Sequence, residues 1–255
     1  MTLNIERVIA KELDVRERQI TAAVELLDGG ATVPFISRYR KEITGGLDDT
    51  QLRKLEERLG YLRELEVRRE AVLSSILEQG KLTPELEIAI IAAETKVRLE
   101  DLYLPYKQKR RTKAQIALEA GIEPLADSLI SDPCLEPFDE ALAYINKDEK
   151  FKTAFEDAKG VLDGAKYILM ERFAEDAELL QSIRDFMSHN TVIFSNVVSG
   201  KEKDAAKYRD YFDLRDKFQG IPSHRALAML RGRREGVLQL RIDVVVPDDQ
   251  VHPCI

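Results

Sequence analysis

The sequence has 255 residues, 44% of them apolar and 33% charged, with 13 Gly, 9 Pro and a net charge of −7. This mixture excludes a disordered tail and fits a helix-rich globular chain holding one or two cores. The acidic balance excludes a surface that is basic throughout, so any nucleic-acid contact has to be local.

The chain-order reading begins with short helices. Leu3, Ile5, Val8, Ile9 and Leu13 are helically spaced, and Asp14 stands three residues before Glu17, the spacing of a capping box opening the next helix. That helix carries Ile20, Val24 and Leu27 on one face and stops at Gly29-Gly30. Pro34 suits the start of a third helix holding Phe35, Ile36 and Tyr39, which are expected to be buried, beside Arg38, Arg40 and Lys41. Helix, glycine turn and basic helix give the outline of a helix-turn-helix.

Thr44-Gly45-Gly46 breaks the chain, and Asp48 or Asp49 can cap a new helix. From there to Gln79 the pattern predicts one long helix of roughly 45 Å. Its seam runs through Leu52, Leu55, Leu59 and Leu62, then Glu66 and Arg69, then Leu73 and Ile76, a coiled-coil-like stripe with a polar interruption. Thr83-Pro84-Glu85 opens another helical stretch, expected to run to about Tyr103.

The loop from Pro105 to Thr112 is basic. Shorter helices are predicted at Lys113 to Ala120, Pro124 to Ile130 and Asp139 to Ile145, and a longer pair over about Lys150 to Asn190. Thr191 to Val198 reads as a strand, and Lys203 to Phe212 and Pro222 to Arg234 as helices. In Val237 to Val246, Leu238, Leu240, Ile242 and Val244 alternate with Gln239, Arg241 and Asp243, a half-buried strand. The fold class is therefore mostly α: a multi-helical scaffold with a helix-turn-helix-like N-terminal segment, one long helix and a small late β element. Three domains are expected: residues 1–80, residues 81–190, and a mixed segment over 191–255 leading to a further domain downstream. Pro247-Asp248-Asp249 is turn-like and Val251 to Ile255 approaches something more, as expected of a fragment of a longer chain.

Three stretches resemble the Tex family of bacterial transcription accessory proteins. They are Gly30-Ala31-Thr32-Val33-Pro34-Phe35-Ile36-Ser37-Arg38-Tyr39-Arg40-Lys41-Glu42 with Thr44 to Asp49; Leu99-Glu100-Asp101-Leu102-Tyr103-Leu104-Pro105-Tyr106-Lys107 running into Lys109 to Thr112; and Tyr208-Arg209-Asp210-Tyr211-Phe212 with Ile221 to Leu227 and Arg231-Gly232. The resemblance implies a larger protein, with a helical N-terminal region followed by an RNase H-like YqgF domain, helix-hairpin-helix elements and an OB-fold that binds RNA. Members are similar to a eukaryotic elongation factor that handles histones and RNA polymerase. The resemblance covers this chain as the N-terminal region, so the family's clearest nucleic-acid-binding part has no counterpart among these residues.

Two local features invite a binding role. Lys107, Lys109, Arg110, Arg111 and Lys113 put five cations in seven residues beside Tyr103 and Tyr106, an arrangement that could grip phosphates while a ring stacks on a base. The plainer alternative packs the tyrosines in a core and pairs the cations with acidic helices. Arg38, Arg40 and Lys41 could lie on a recognition helix, though Glu42, Asp48 and Asp49 follow closely.

Arg225, Arg231, Arg233 and Arg234 form a second local basic patch. Ser223 and His224 are adjacent and point about 100° apart on a helix, so they make no nucleophile pair. His189, His224 and His252 are isolated, Cys134 and Cys254 lie far apart, and no Gly pair is followed by Lys-Ser or Lys-Thr. No cofactor or metal is implied, and no catalysis is expected.

No apolar run reaches the ~18 residues a membrane span needs, and Glu6 and Arg7 interrupt any signal peptide. The expected location is the cytoplasm. The expected role is a helical scaffold positioning RNA- or DNA-binding and polymerase-facing modules. Its partners would be RNA or single-stranded or duplex DNA, mainly through downstream domains, together with RNA polymerase or the ribosome. The alternatives are a pure protein-docking module and, third, a sequence-specific helix-turn-helix repressor.

Overall fold

A computed structural model describes residues 4–145 and 151–246 of the chain. The fold is mostly α, with one small antiparallel sheet late in the chain. It divides into two compact units, residues 1–108 and 109–255. The last turn-like segment, Pro247 onward, lies outside the described residues.

The first unit is built on the long helix. Its elements are α1 (Ile5–Leu13), α2 (Glu17–Asp28), α3 (Val33–Tyr39), α4 (Asp49–Glu78), α5 (Pro84–Ala92) and α6 (Lys96–Tyr103). Asp48 caps α4 by accepting the Gln51 N–H at 2.7 Å, while the Gln51 side chain accepts the Asp48 N–H at 3.1 Å.

Asp14 does not cap α2, contrary to the sequence expectation. It ends α1 in the left-handed region at φ 52°, where its own N–H returns to carbonyls of α1. A residue spent on that geometry cannot also hold the extended backbone of an N-cap. Arg16 occupies the N-cap instead, and the Gln19 side chain accepts its N–H at 3.2 Å.

The seam of α4 buries Leu52, Leu55, Leu59, Leu62, Leu65, Arg69, Val72 and Ile76. Its first half matches the predicted register, whereas further along Leu65 and Val72 are buried in place of Glu66 and Leu73. The partners change along the helix: Arg58 and Arg63 reach α1 and α2, whereas Arg69 and Ser75 reach α5 and α6, so the buried stripe turns toward the new neighbours. The polar interruption has a definite role. The Arg69 side chain is buried, and its Nε and Nη2 donate to the Ile90 and Ala93 carbonyls at 3.1 and 2.7 Å. Its Nη1 pairs with Glu66.

Arg69 thus closes the C-terminal end of α5: the Ile90 carbonyl otherwise takes only the long 3.3 Å bond from the Ala93 N–H, and the Ala93 carbonyl lies past the last turn, where helices leave acceptors over. The continuous helix expected from Thr83 to Tyr103 is interrupted there, at Ala93 to Thr95, and Thr95 caps α6 through the Arg98 N–H at 3.1 Å. Because Ile90, Ala93 and Leu99 enter the same core as α4, the first unit runs on past residue 80.

The second unit packs α7 (Lys113–Glu119), α8 (Glu123–Ser131), α9 (Pro137–Ala141) and α10 (Lys152–Phe155) around α11 (Ala158–Glu175). Gly164 lets α11 approach closely, since a Cβ there would stand 2.9 Å from both Ile122 and Phe155. Then come α12 (Ala177–Asn190), β1 (Thr191–Val197), a 3-10 segment over Ala206–Tyr211, β2 (Asp213–Lys217), α13 (Ser223–Arg234) and β3 (Leu238–Val244).

The sheet order is β2-β1-β3, antiparallel throughout. Strand β2 was not anticipated: four of its five residues are charged, which conceals its alternation. On β3, Leu238 is buried as the alternation requires, while Ile242 is 58% exposed because it sits on an edge strand.

Candidate nucleic-acid interface

The structure separates the two basic features by what surrounds their cations. In the loop, Lys109 donates to Glu171 at 3.0 Å and also pairs with Glu175, one turn further along α11. Thr112 Oγ1 donates to the other oxygen of Glu171 at 2.8 Å. Burial of Glu171 works against its charge, but the hydrogen bonds from Lys109 and Thr112 prevail and hold its carboxyl below the usual range.

Arg111 pairs with Glu119. Lys113 donates to the Tyr167 hydroxyl at 3.2 Å and lies 4.8 Å from the ring centroid. Arg110 makes no such contact among the described residues, and neither does Lys107, although its charge helps to hold the Glu100 carboxyl low after the larger effect of the Arg68 hydrogen bond. The two tyrosines belong to the first unit's core rather than to a free surface. Tyr103 shares a 3.0 Å hydrogen bond with Ser75, and the Tyr106 carbonyl accepts from Gln79 at 2.9 Å.

Helix α3 is the reverse case. Its inward face is Val33 and Ile36, 3% and 0% exposed, and these two residues suffice to anchor seven residues on the core. Phe35 and Tyr39 were expected to be buried; instead they are 40% and 61% exposed, with ring centroids 5.4 Å apart. Spaced i, i+4, they share one face, and it points away from that of Val33 and Ile36.

The Arg40 guanidinium lies 5.3 Å from the Phe35 centroid. Among the described residues no carboxylate lies within ion-pair distance of Arg38, Arg40 or Lys41. The exit of the helix is held by Gln19, whose Nε2 donates to the Gly45 carbonyl at 2.9 Å. Gly45 has φ 60° and a Cβ there would meet Gln19 at 3.2 Å, so the turn takes glycine for both reasons. The signal for exposed rings was present in the sequence: a two-turn helix with Val33 and Ile36 already facing inward has no room for two more aromatics on that side.

On α13 the cations are divided. Arg225 pairs with Asp216 at 3.1 Å, and Glu235 receives Lys207 at 2.7 Å and Arg231 at 3.1 Å. Led by the Lys207 hydrogen bond, these contacts bring the Glu235 carboxyl down to about 2. Arg233 and Arg234 stay exposed. Among the described residues no three His, Cys, Asp or Glu side chains converge as a metal site, and no helix is long and apolar enough to cross a membrane.

The comparisons with known proteins agree with this helical framework. Residues 3–77 match the Tex-like protein N-terminal domain, and residues 132–255 match the Tex central region-like family. The chain is 62% identical over 237 residues to Protein YhgF of Escherichia coli (strain K12), which covers 93% of the chain and 30% of that protein. It is 56% identical over 247 residues to the transcriptional accessory protein Tex of Neisseria gonorrhoeae, covering 97% of the chain and 32% of that protein. More distantly, it is 30% identical over 264 residues to S1 RNA-binding domain-containing protein 1 of Pongo abelii, covering 100% of the chain and 26% of that protein. The chain belongs to the Tex family, as its N-terminal region. It spans about a third of the length of the bacterial relatives it matches.

Proposed function

We propose that this region is the helical scaffold of an RNA-binding transcription accessory protein, and that α3 supplies a local RNA contact of its own. One observation carries the reading: among the described residues Arg38, Arg40 and Lys41 have no carboxylate within ion-pair distance, and Arg40 lies over the exposed ring of Phe35, next to exposed Tyr39. Unpaired cations release counterions when they meet phosphates, and exposed rings stack on unpaired bases. The names of two relatives, one a transcriptional accessory protein and one an RNA-binding-domain protein, support the same direction. On this reading the region works in the cytoplasm, does no chemistry, and uses α4 as a rigid spacer.

The test is fluorescence anisotropy of the 255-residue chain with labelled single-stranded RNA, single-stranded DNA and duplex DNA across a salt series. Replacing Arg38 and Arg40 by Ala should weaken binding and lower the log–log salt slope by about 0.7–0.9 for each phosphate no longer neutralised. An unchanged slope with an intact fold would remove α3 from the interface.

One observation favours a second reading, a protein-docking surface for RNA polymerase or the ribosome. Ile43, four residues after Tyr39, is 49% exposed and is a third exposed apolar side chain in this segment besides Phe35 and Tyr39. Docking through rings rather than charges would be insensitive to salt, and Phe35→Ala with Tyr39→Ala would abolish it. The repressor reading would instead require duplex DNA to outcompete single strands.

A further inference from the structure

The small sheet carries a second aromatic–cation arrangement, on elements that no part of the proposed α3 contact uses. Register places Phe194, on the central strand, directly opposite Arg215 of β2 and Arg241 of β3. Both guanidiniums lie over its ring, at 5.6 and 4.7 Å from the centroid. Since side chains alternate across a strand, Val192, Phe194 and Asn196 share this face with Lys217, Arg215 and Asp213 on one side and Asp243, Arg241 and Gln239 on the other.

The opposite face is already occupied. Ser195 is fully buried and donates to the Tyr211 carbonyl at 2.7 Å, and Leu238 packs with Ala205, Tyr208 and Val237. On the Phe194 face Val192 is buried and Phe194 half-buried, while Arg215, Lys217 and Arg241 are exposed, so what that face offers a ligand is its cations and the ring between them.

The charges on that face are poorly matched within the chain. Among the described residues Arg215 and Lys217 have no carboxylate within ion-pair distance. The nearest carboxylate to Arg241 is that of Asp243 at 3.7 Å, where one oxygen already accepts the Val244 N–H at 3.0 Å. Arg241 keeps 67% of its side chain exposed. Asp213, at the far corner, takes a 3.5 Å contact from Asn196.

We infer that this sheet face is a stacking platform for single-stranded RNA, with unpaired bases stacking on the exposed guanidinium planes of Arg215 and Arg241, which Phe194 supports, while these cations and Lys217 meet the phosphates. A flat sheet with a ring on its central strand suits splayed bases and offers nothing shaped to enter a duplex groove. The inference rests on the RNA reading proposed above but on a different surface in the other unit.

The sequence contains no Trp, so Phe194→Trp places the chain's sole indole on the platform. Oligo(U) should quench its fluorescence, and high salt should reverse the quench. Arg215→Ala with Arg241→Ala, in a chain whose circular dichroism is unchanged, should weaken oligo(U) binding by about tenfold, whereas Arg38→Ala with Arg40→Ala should leave the quench in place. Oligo(U) binding seen by anisotropy, with no indole quench and with native affinity in the Arg215/Arg241 variant, would overturn the inference and leave the α3 reading standing. Loss of binding only in the Arg38/Arg40 variant would do the same. An equal quench by duplex would overturn the assignment to single strands, one by oligo(dT) the assignment to RNA, and no oligonucleotide binding at all would end both readings.

Discussion

The loop of Lys109 to Lys113 and helix α3 look alike as strings of letters and differ as surfaces. In the loop the cations meet partners from the second unit: Glu171 and Glu175 stand one turn apart on α11, Glu119 reaches Arg111, and Tyr167 reaches Lys113. At α3 the cations have no carboxylate in ion-pair distance among the described residues, and Arg40 lies over the exposed Phe35 ring. A run of positive charge therefore says little until its neighbours are known, because a carboxylate at contact distance cancels most of the field that would attract a phosphate. Arg69 marks the limit of the first behaviour, a cation wholly committed to holding the fold.

Arg69 gives the largest expected effect. Arg69→Met leaves the Ala93 carbonyl and the largely buried Glu66 without their donor, and the Ile90 carbonyl with only the 3.3 Å bond from the Ala93 N–H. Destabilisation of about 3–5 kcal/mol is expected, read from urea unfolding of the chain. A loss below about 1 kcal/mol would mean that the α5 terminus finds water instead. By contrast Arg38→Ala, Arg40→Ala and Lys41→Ala together should leave the unfolding midpoint nearly unchanged, as expected for exposed positions, while reducing RNA affinity. That pairing of effects is the sharpest form of the comparison: one cation moves stability, and the other three move binding.

Much of this was legible in the sequence. The long helix, its Asp48 cap, the Thr83-Pro84 start, the late strands β1 and β3 and the Gly29-Gly30 turn follow from local rules, since each depends on residues within one turn of another. What could not be read depended on distant partners. Nothing near Arg69 in sequence indicates that carbonyls 21 and 24 residues away require it. Strand β2 is a run of charges that becomes a strand only because β1 lies beside it. The site was partly legible too: the basic residues of α3 stood out, but the exposure of Phe35 and Tyr39 depends on which face Val33 and Ile36 bury.

The comparison can be pushed from the other side by releasing the loop. Glu171→Gln with Glu175→Gln removes the carboxylates that hold Lys109. The pairs are partly exposed, so their loss should cost no more than about 1 kcal/mol. The freed cations should strengthen RNA binding and raise the salt slope by about 0.7–0.9 for each further phosphate neutralised. If affinity and slope both stay put, the carboxylates are not what keeps the loop from phosphates.

The smallest effect concerns Glu235, where two cations of the α13 region converge. Its carboxyl titrates at about 2, well below the ordinary 4.5, chiefly because Lys207 donates to it. A carboxyl whose folded value is depressed favours the folded state fully above its unfolded value and loses that contribution as pH falls through the folded one. The loss therefore belongs between about pH 4.5 and pH 2, and nothing should change near neutrality. Lys207→Ala should raise the Glu235 midpoint toward the ordinary range but not all the way, because Tyr208 and Arg231 still act to lower it. Carbon-detected NMR titration of the side-chain carboxyl measures this directly. A midpoint that stays at about 2 without Lys207 would transfer the effect to Tyr208 and Arg231, and would make Arg231, like Arg69, a cation that serves the fold rather than a ligand.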